Sequence, residues 1–171
     1  MTQRTDTPPT WDERTQLATY LDYARDTARA KCEGASPDDA RRAPLPGSPL
    51  MTLSGLISHL RWVEHHWFQV MFLGDEPEGP LTLATDDDPD PEMRLAVDVP
   101  LPELLAEYEE QSARYRRLVA ETDLDAPAAR PLGDGRHADL RWVLLHLIEE
   151  TSRHNGHLDV VRELVDGKTG V

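Results

Sequence analysis

A single cysteine, Cys32, in 171 residues excludes an internal disulfide and a cluster of thiolate ligands, and it fits a reducing compartment. No apolar run approaches the roughly 20 residues that cross a bilayer, and the opening MTQRTDTPPT has no apolar core of a secretory signal. A cytoplasmic protein with no membrane partner is expected. Cations are also scarce. Against 32 acidic residues stand 18 lysines and arginines, a net charge of −14, and the cations are scattered among acids, which excludes nucleic acid as a partner. An anionic membrane surface is disfavoured for the same reason. No internal repeat divides the chain, so one domain over residues 1–171 is expected, long enough to build a core.

What the chain does have is helical periodicity. Apolar residues at helical spacing predict helices over residues 11–31, 52–73, 101–122 and 138–166. Thr10 is the expected cap of the first, Thr52 or Ser54 of the second, and Gly34 and Gly74 are the expected stops. Residues 35–49, with four prolines, read as a connection. The acidic, proline-rich stretch from Asp75 to Pro102 reads as a long loop with at most a short strand near Arg94 to Val99. Its aspartates Asp86, Asp87, Asp88 and Asp90 lack the glycine and terminal glutamate of a calcium loop and read as a solvated acidic face. The fold class is all-α, a four-helix bundle, and the long connection between the second and third helices leaves room for a crossover in place of simple up-and-down order.

The last helix carries the chemistry. At about 100° per residue, Val143, Leu147, Leu158 and Val161 form one stripe, and Glu150, His154, His157 and His146 fall on it. Glu149 takes the polar side, where a helical glutamate normally belongs. Glu150 therefore points toward a core, where a carboxylate must be paired, protonated or ligated. His154 lies one turn on, so the two can close on one ion. On the second helix His59 sits at the edge of the apolar stripe, His66 two turns later is on nearly the same side, and His65 points away. His59, Glu150 and His154 would make three protein ligands with open positions for water or substrate, as in a catalytic site. Nitrogen and oxygen donors suit zinc, nickel, manganese or iron. Such a glutamate–histidine pair also arises by chance, and a histidine at a stripe edge is often just a packed ring. Trp62, Trp67 and Trp142 could line a pocket mouth or a dimer contact, but tryptophans at helical spacing more often belong to a core or its rim.

The segments TLSGLISHLRWVEHHWF and LRWVLLHLIEETSRHNGHLDVVRELVDG resemble the DinB-like (YfiT-like) metalloenzymes, in particular the actinobacterial branch near mycothiol-dependent maleylpyruvate isomerase. The resemblance spans nearly the whole chain. It implies one divalent ion, zinc or nickel first, on His59, Glu150 and His154, with glutamate at position 150 as in the thiol-dependent branch. It further implies a metal-dependent thiol transferase or isomerase that delivers a mycothiol-type thiol to an electrophile. Cys32 lies outside the site helices, so the nucleophile would come from the cosubstrate. The family pattern has glutamine at about the place of His157, which leaves His157 as a fourth ligand or a proton-handling group, with His66 a second acid/base candidate. A non-catalytic, stress-linked metal- or ligand-binding bundle, as a homodimer, is the alternative.

Overall fold

The computed structural model describes residues 4–170. Its long helices are α1 (Glu13–Cys32), α3 (Leu53–His65), α5 (Leu101–Glu121) and α6 (Leu140–Asp166), with two short helices, α2 (Pro37–Arg41) and α4 (Pro91–Leu95), in the connections. A π-helical segment, His66–Phe72, continues α3. The only β feature among the described residues is an isolated bridge between Pro127 and Asp139.

The four sequence-predicted helices are all present, with corrections at their ends. Asp12, not Thr10, caps α1 by accepting from the Thr15 amide at 3.0 Å; Thr10 donates its hydroxyl to Asp12 instead. Thr52 caps α3 and Asp139 caps α6 in the same way, because short oxygen-bearing side chains satisfy the first free amides of a helix. Gly167 ends α6 at φ 79°, a left-handed stop that glycine takes without steric cost. The supposed strand near Arg94 to Val99 is α4 followed by a 3₁₀ turn, Ala96–Asp98: Pro91 supplies the fixed φ that suits a first helical position. The connection 35–49 holds α2, capped by Ser36.

Two apolar clusters fill the bundle. One gathers Ala28, Cys32, Leu56, Leu60, Leu104 and Leu158 with their neighbours; the other gathers Leu21, Phe68, Tyr115, Val119, Val143 and Leu147. Chain order through the two clusters sets the direction of each helix. α3 and α5 both run from the first cluster to the second, while α1 and α6 run back. Parallel α3 and α5 require the 73–100 connection to return along the bundle, so the crossover topology left open by loop length is the one found. α1 packs chiefly on α6, and α3 on α5 and α6.

Between the clusters lies a buried polar layer. Arg25 of α1 donates through Nε and Nη2 to the two oxygens of Glu64 on α3, at 2.8 and 2.7 Å, and the Tyr108 hydroxyl of α5 donates to Glu64 Oε1 at 2.9 Å. Burial alone would discourage charge on Arg25, but Glu64 more than reverses that and holds the guanidinium protonated. Burial, and then Glu64, pushes the Tyr108 hydroxyl well above its ordinary pKa.

The crossover connection comes close to α3 at Gly55. A methyl group there would lie 2.6 Å from the Leu50 carbonyl oxygen and 3.3 Å from that of Met93. Because backbone cannot step aside as a flexible side chain can, Gly55→Ala is expected to cost about 1–3 kcal/mol, measured as a lower denaturation midpoint.

Candidate metal centre

The site stands at the edge of the polar layer where α3 faces α6. Glu150, 7% exposed, turns inward as its stripe position requires, while Glu149 is exposed and pairs with Arg153. Glu150 Oε1 lies 3.0 Å from His154 Nε2 and 3.5 Å from His59 Nε2. Its other oxygen accepts from the Arg153 guanidinium, which leaves one oxygen for the two imidazoles. One donor atom from each of His59, Glu150 and His154 falls within 4.8 Å of the others. Two ligands about 2.0–2.1 Å from a tetrahedral zinc are about 3.3 Å apart, so these two separations suit a shared cation, and the nitrogen and oxygen donors suit zinc or nickel.

The outer nitrogens of both imidazoles are also engaged. His59 Nδ1 meets Glu92 Oε1 at 2.7 Å, and His154 Nδ1 meets His157 Nδ1 at 3.2 Å. For His154 to offer a lone pair from Nε2 it must carry its proton on Nδ1, and His157 must accept it. His157 is thus a partner of His154 on the side away from Glu150.

The sequence-predicted candidates separate into two groups. His59, Glu150 and His154 come together, with His157 joined through His154. His66 and His146 belong instead to an aromatic patch: His146 stacks on Trp142 at 5.1 Å and meets Trp67 edge-on at 4.6 Å, and His66 meets Trp67 at 5.6 Å. His65 does turn away from the His59 face, but it enters the α3–α5 side, 3% exposed, with Nδ1 3.5 Å from the Tyr115 hydroxyl. α3 is packed on both flanks, so leaving one stripe does not bring a side chain to water. Trp62 packs under Arg61, with Gly79 of the crossover connection over its ring.

Glu92 and Asp90 are the residues that periodicity missed. They form with His59 a second group of donors, in which Glu92 lies on the Nδ1 side of the ring. Both come from the acidic stretch that reads as loop, where no helical phase marks an inward position. The proline at position 91, which starts α4, was the available signal.

Burial sets the protonation of these histidines. It lowers the pKa of His154 to about 4, with the charges of His59, His157 and Arg153 adding to it, and it lowers those of His65, His66 and His146. His154 is therefore neutral and able to ligate at neutral pH. Between pH 6.5 and about 4 the unfolded chain takes up protons that the folded chain refuses, so stability is full above pH 6.5 and falls as the pH drops through that window. Thermal melts of the metal-free protein across pH 4–8 are expected to show that decline.

Four helices in this order, with two imidazoles and a carboxylate converging from α3 and α6, define a DinB-like bundle. The chain belongs to the mycothiol-S-transferase family, whose model matches residues 16–167. In fold it is similar to a conserved protein from Enterococcus faecalis known from a crystal structure, at 16% identity and a TM-score of 0.65, over 93% of this chain and 100% of that one. No curated protein matches it significantly. No helix among the described residues is long and apolar enough to cross a membrane.

Proposed function

We propose that the protein is a metal-dependent thiol S-transferase, with His59, Glu150 and His154 holding one divalent ion, zinc or nickel, and a mycothiol-type thiol as cosubstrate. The observation that carries this is the approach of both imidazole Nε2 atoms to the single free oxygen of Glu150. The family match supplies the thiol.

A divalent ion at that point would stabilise the thiolate form of a small thiol at neutral pH. The chain's own residues do the rest. Glu150 brings one negative charge to the ion, and Arg153 holds its second oxygen aside. His157 fixes the tautomer of His154 and, being half-buried at the rim, is the nearer of the two acid/base candidates; His66, on the aromatic patch, is the more remote. The nucleophile comes from the cosubstrate because Cys32 cannot serve: it is 1% exposed in the apolar core, and burial pushes its thiol up to about 12. In the reaction the thiol loses its proton to solvent, a sulfur–carbon bond forms as the bond from that carbon to the leaving group breaks, and the leaving group departs with the displaced electron pair. The same proposal takes residues 1–171 as one domain acting in the cytoplasm, where small thiols stay reduced, and as a homodimer, which sedimentation would test.

The test is conjugation of mycothiol to an activated aryl halide by protein loaded to different zinc contents. A rate proportional to bound zinc is the expected result. A rate indifferent to metal removal would overturn the proposal, and tight zinc binding without turnover would favour the non-catalytic bundle.

A further inference from the structure

Each ring nitrogen of His59 faces an acid, and the two acids come from different parts of the chain. On the Nε2 side is Glu150 of α6 at 3.5 Å; on the Nδ1 side is Glu92 of α4 at 2.7 Å. Glu92 is 5% exposed, and among the described residues its only hydrogen bond through a side-chain oxygen is the one to His59. A carboxylate buried that far from water needs a donor.

The backbone around Glu92 is held. Its neighbours Pro91 and Met93 are buried, and Met93 belongs to the apolar cluster with Leu53, Leu56, Ile57 and Leu60 of α3. Gly55, one turn before His59, lets the Met93 carbonyl approach α3. Glu92 is therefore presented to the His59 ring by a segment anchored on both sides, not by a free loop.

A neutral imidazole carries one proton. With Glu92 accepting from Nδ1–H, the Nε2 lone pair is left pointing toward Glu150 and His154, which is the tautomer a ligand on that side must have. A carboxylate behind a ligating imidazole also makes it a better electron donor.

We infer that Glu92 is the positioning residue of the site: it fixes the tautomer and the orientation of His59, so that the crossover connection orients a donor set drawn from α3 and α6. This rests on His59 being a ligand. It assigns to the connection between α3 and α5 a part in metal affinity that its acidic, proline-rich sequence does not suggest.

The experiment measures zinc affinity by competition with a chromophoric chelator for the wild-type chain, Glu92→Gln, Glu92→Ala and His59→Ala, alongside the ring ¹⁵N shifts of His59 in the metal-free proteins. The expected result is a loss of about 10–100-fold for Glu92→Ala, a smaller loss for Glu92→Gln, whose amide oxygen still accepts from Nδ1–H, and a shift of His59 from the Nδ1–H tautomer toward a mixture in Glu92→Ala. A side chain that only filled space would leave the ¹⁵N shifts unmoved. Wild-type affinity in both Glu92 variants, with zinc lost in His59→Ala, would overturn the role of Glu92 and leave the ligand set standing. Wild-type affinity in His59→Ala would overturn the ligand set and the positioning role together. Two zinc ions per chain, one of them lost in Asp90→Asn, would make Glu92 a ligand of its own site and overturn the positioning role.

Discussion

His154→Ala is expected to leave the chain folded and unable to retain a divalent ion, with thiol conjugation falling by about a thousandfold or more. Removing a group behind a ligand costs about 10–100-fold in affinity, and removing the ligand itself costs more. Only His59 Nε2 and Glu150 Oε1 would remain of the three donors, and two donors are too few for a protein zinc site. The fold should tolerate the change, because His154 is partly exposed at the bundle edge. The metal-free variant should also lose less stability on acidification than the parent, since the group held near 4 is gone. Metal analysis, conjugation rate and melts at pH 5 and 7 measure the three effects. A variant that bound zinc normally and turned over normally would remove His154 from the site.

Glu64→Ala is expected to be the most destabilising single substitution, at about 3–5 kcal/mol. Arg25 and Glu64 have side-chain exposures of 3% and 1%, so deleting the carboxylate leaves the buried guanidinium with only its Nη1 bond to the more exposed Asp22, and leaves the Tyr108 hydroxyl without its acceptor. Against a total stability of about 5–15 kcal/mol for a folded chain, that is a large fraction. Replacing both members by apolar residues, Arg25→Met with Glu64→Leu, is expected to recover most of the loss, because a buried pair repays its desolvation only while both charges are present. Urea denaturation of the two single variants and the double variant measures this. A double variant no more stable than Glu64→Ala would mean that the layer contributes through packing geometry and not through paired charge.

The legible and the illegible parts of the chain differ for physical reasons. α6 could be read because one helix obeys one angular increment from end to end: placing Glu149 outside and Glu150 inside needed only 100° arithmetic, and both lie as expected. His66 could not be placed by the same arithmetic. From that residue the chain is π-helical, closing i→i+5 hydrogen bonds such as Leu73 N to Phe68 O, and the angle per residue changes. Arg25 and Glu64 were invisible for another reason. Charges on a helix normally mark the solvent face, and only their partnership across α1 and α3 makes them tolerable inside. Glu92 was hidden by the composition of its stretch, since prolines and aspartates erase periodicity even where a short helix forms. The crossover needed the lengths of the connections and could be narrowed to two topologies, but the choice between them depends on which clusters the helices share.

The most direct measurement is anomalous diffraction at the zinc edge from crystals of the zinc-loaded protein. One ion per chain is predicted, within about 2.0–2.2 Å of His59 Nε2, Glu150 Oε1 and His154 Nε2, with Glu92 still on His59 Nδ1. Crystals with no anomalous peak between α3 and α6, or with the ion held by other side chains, would contradict it.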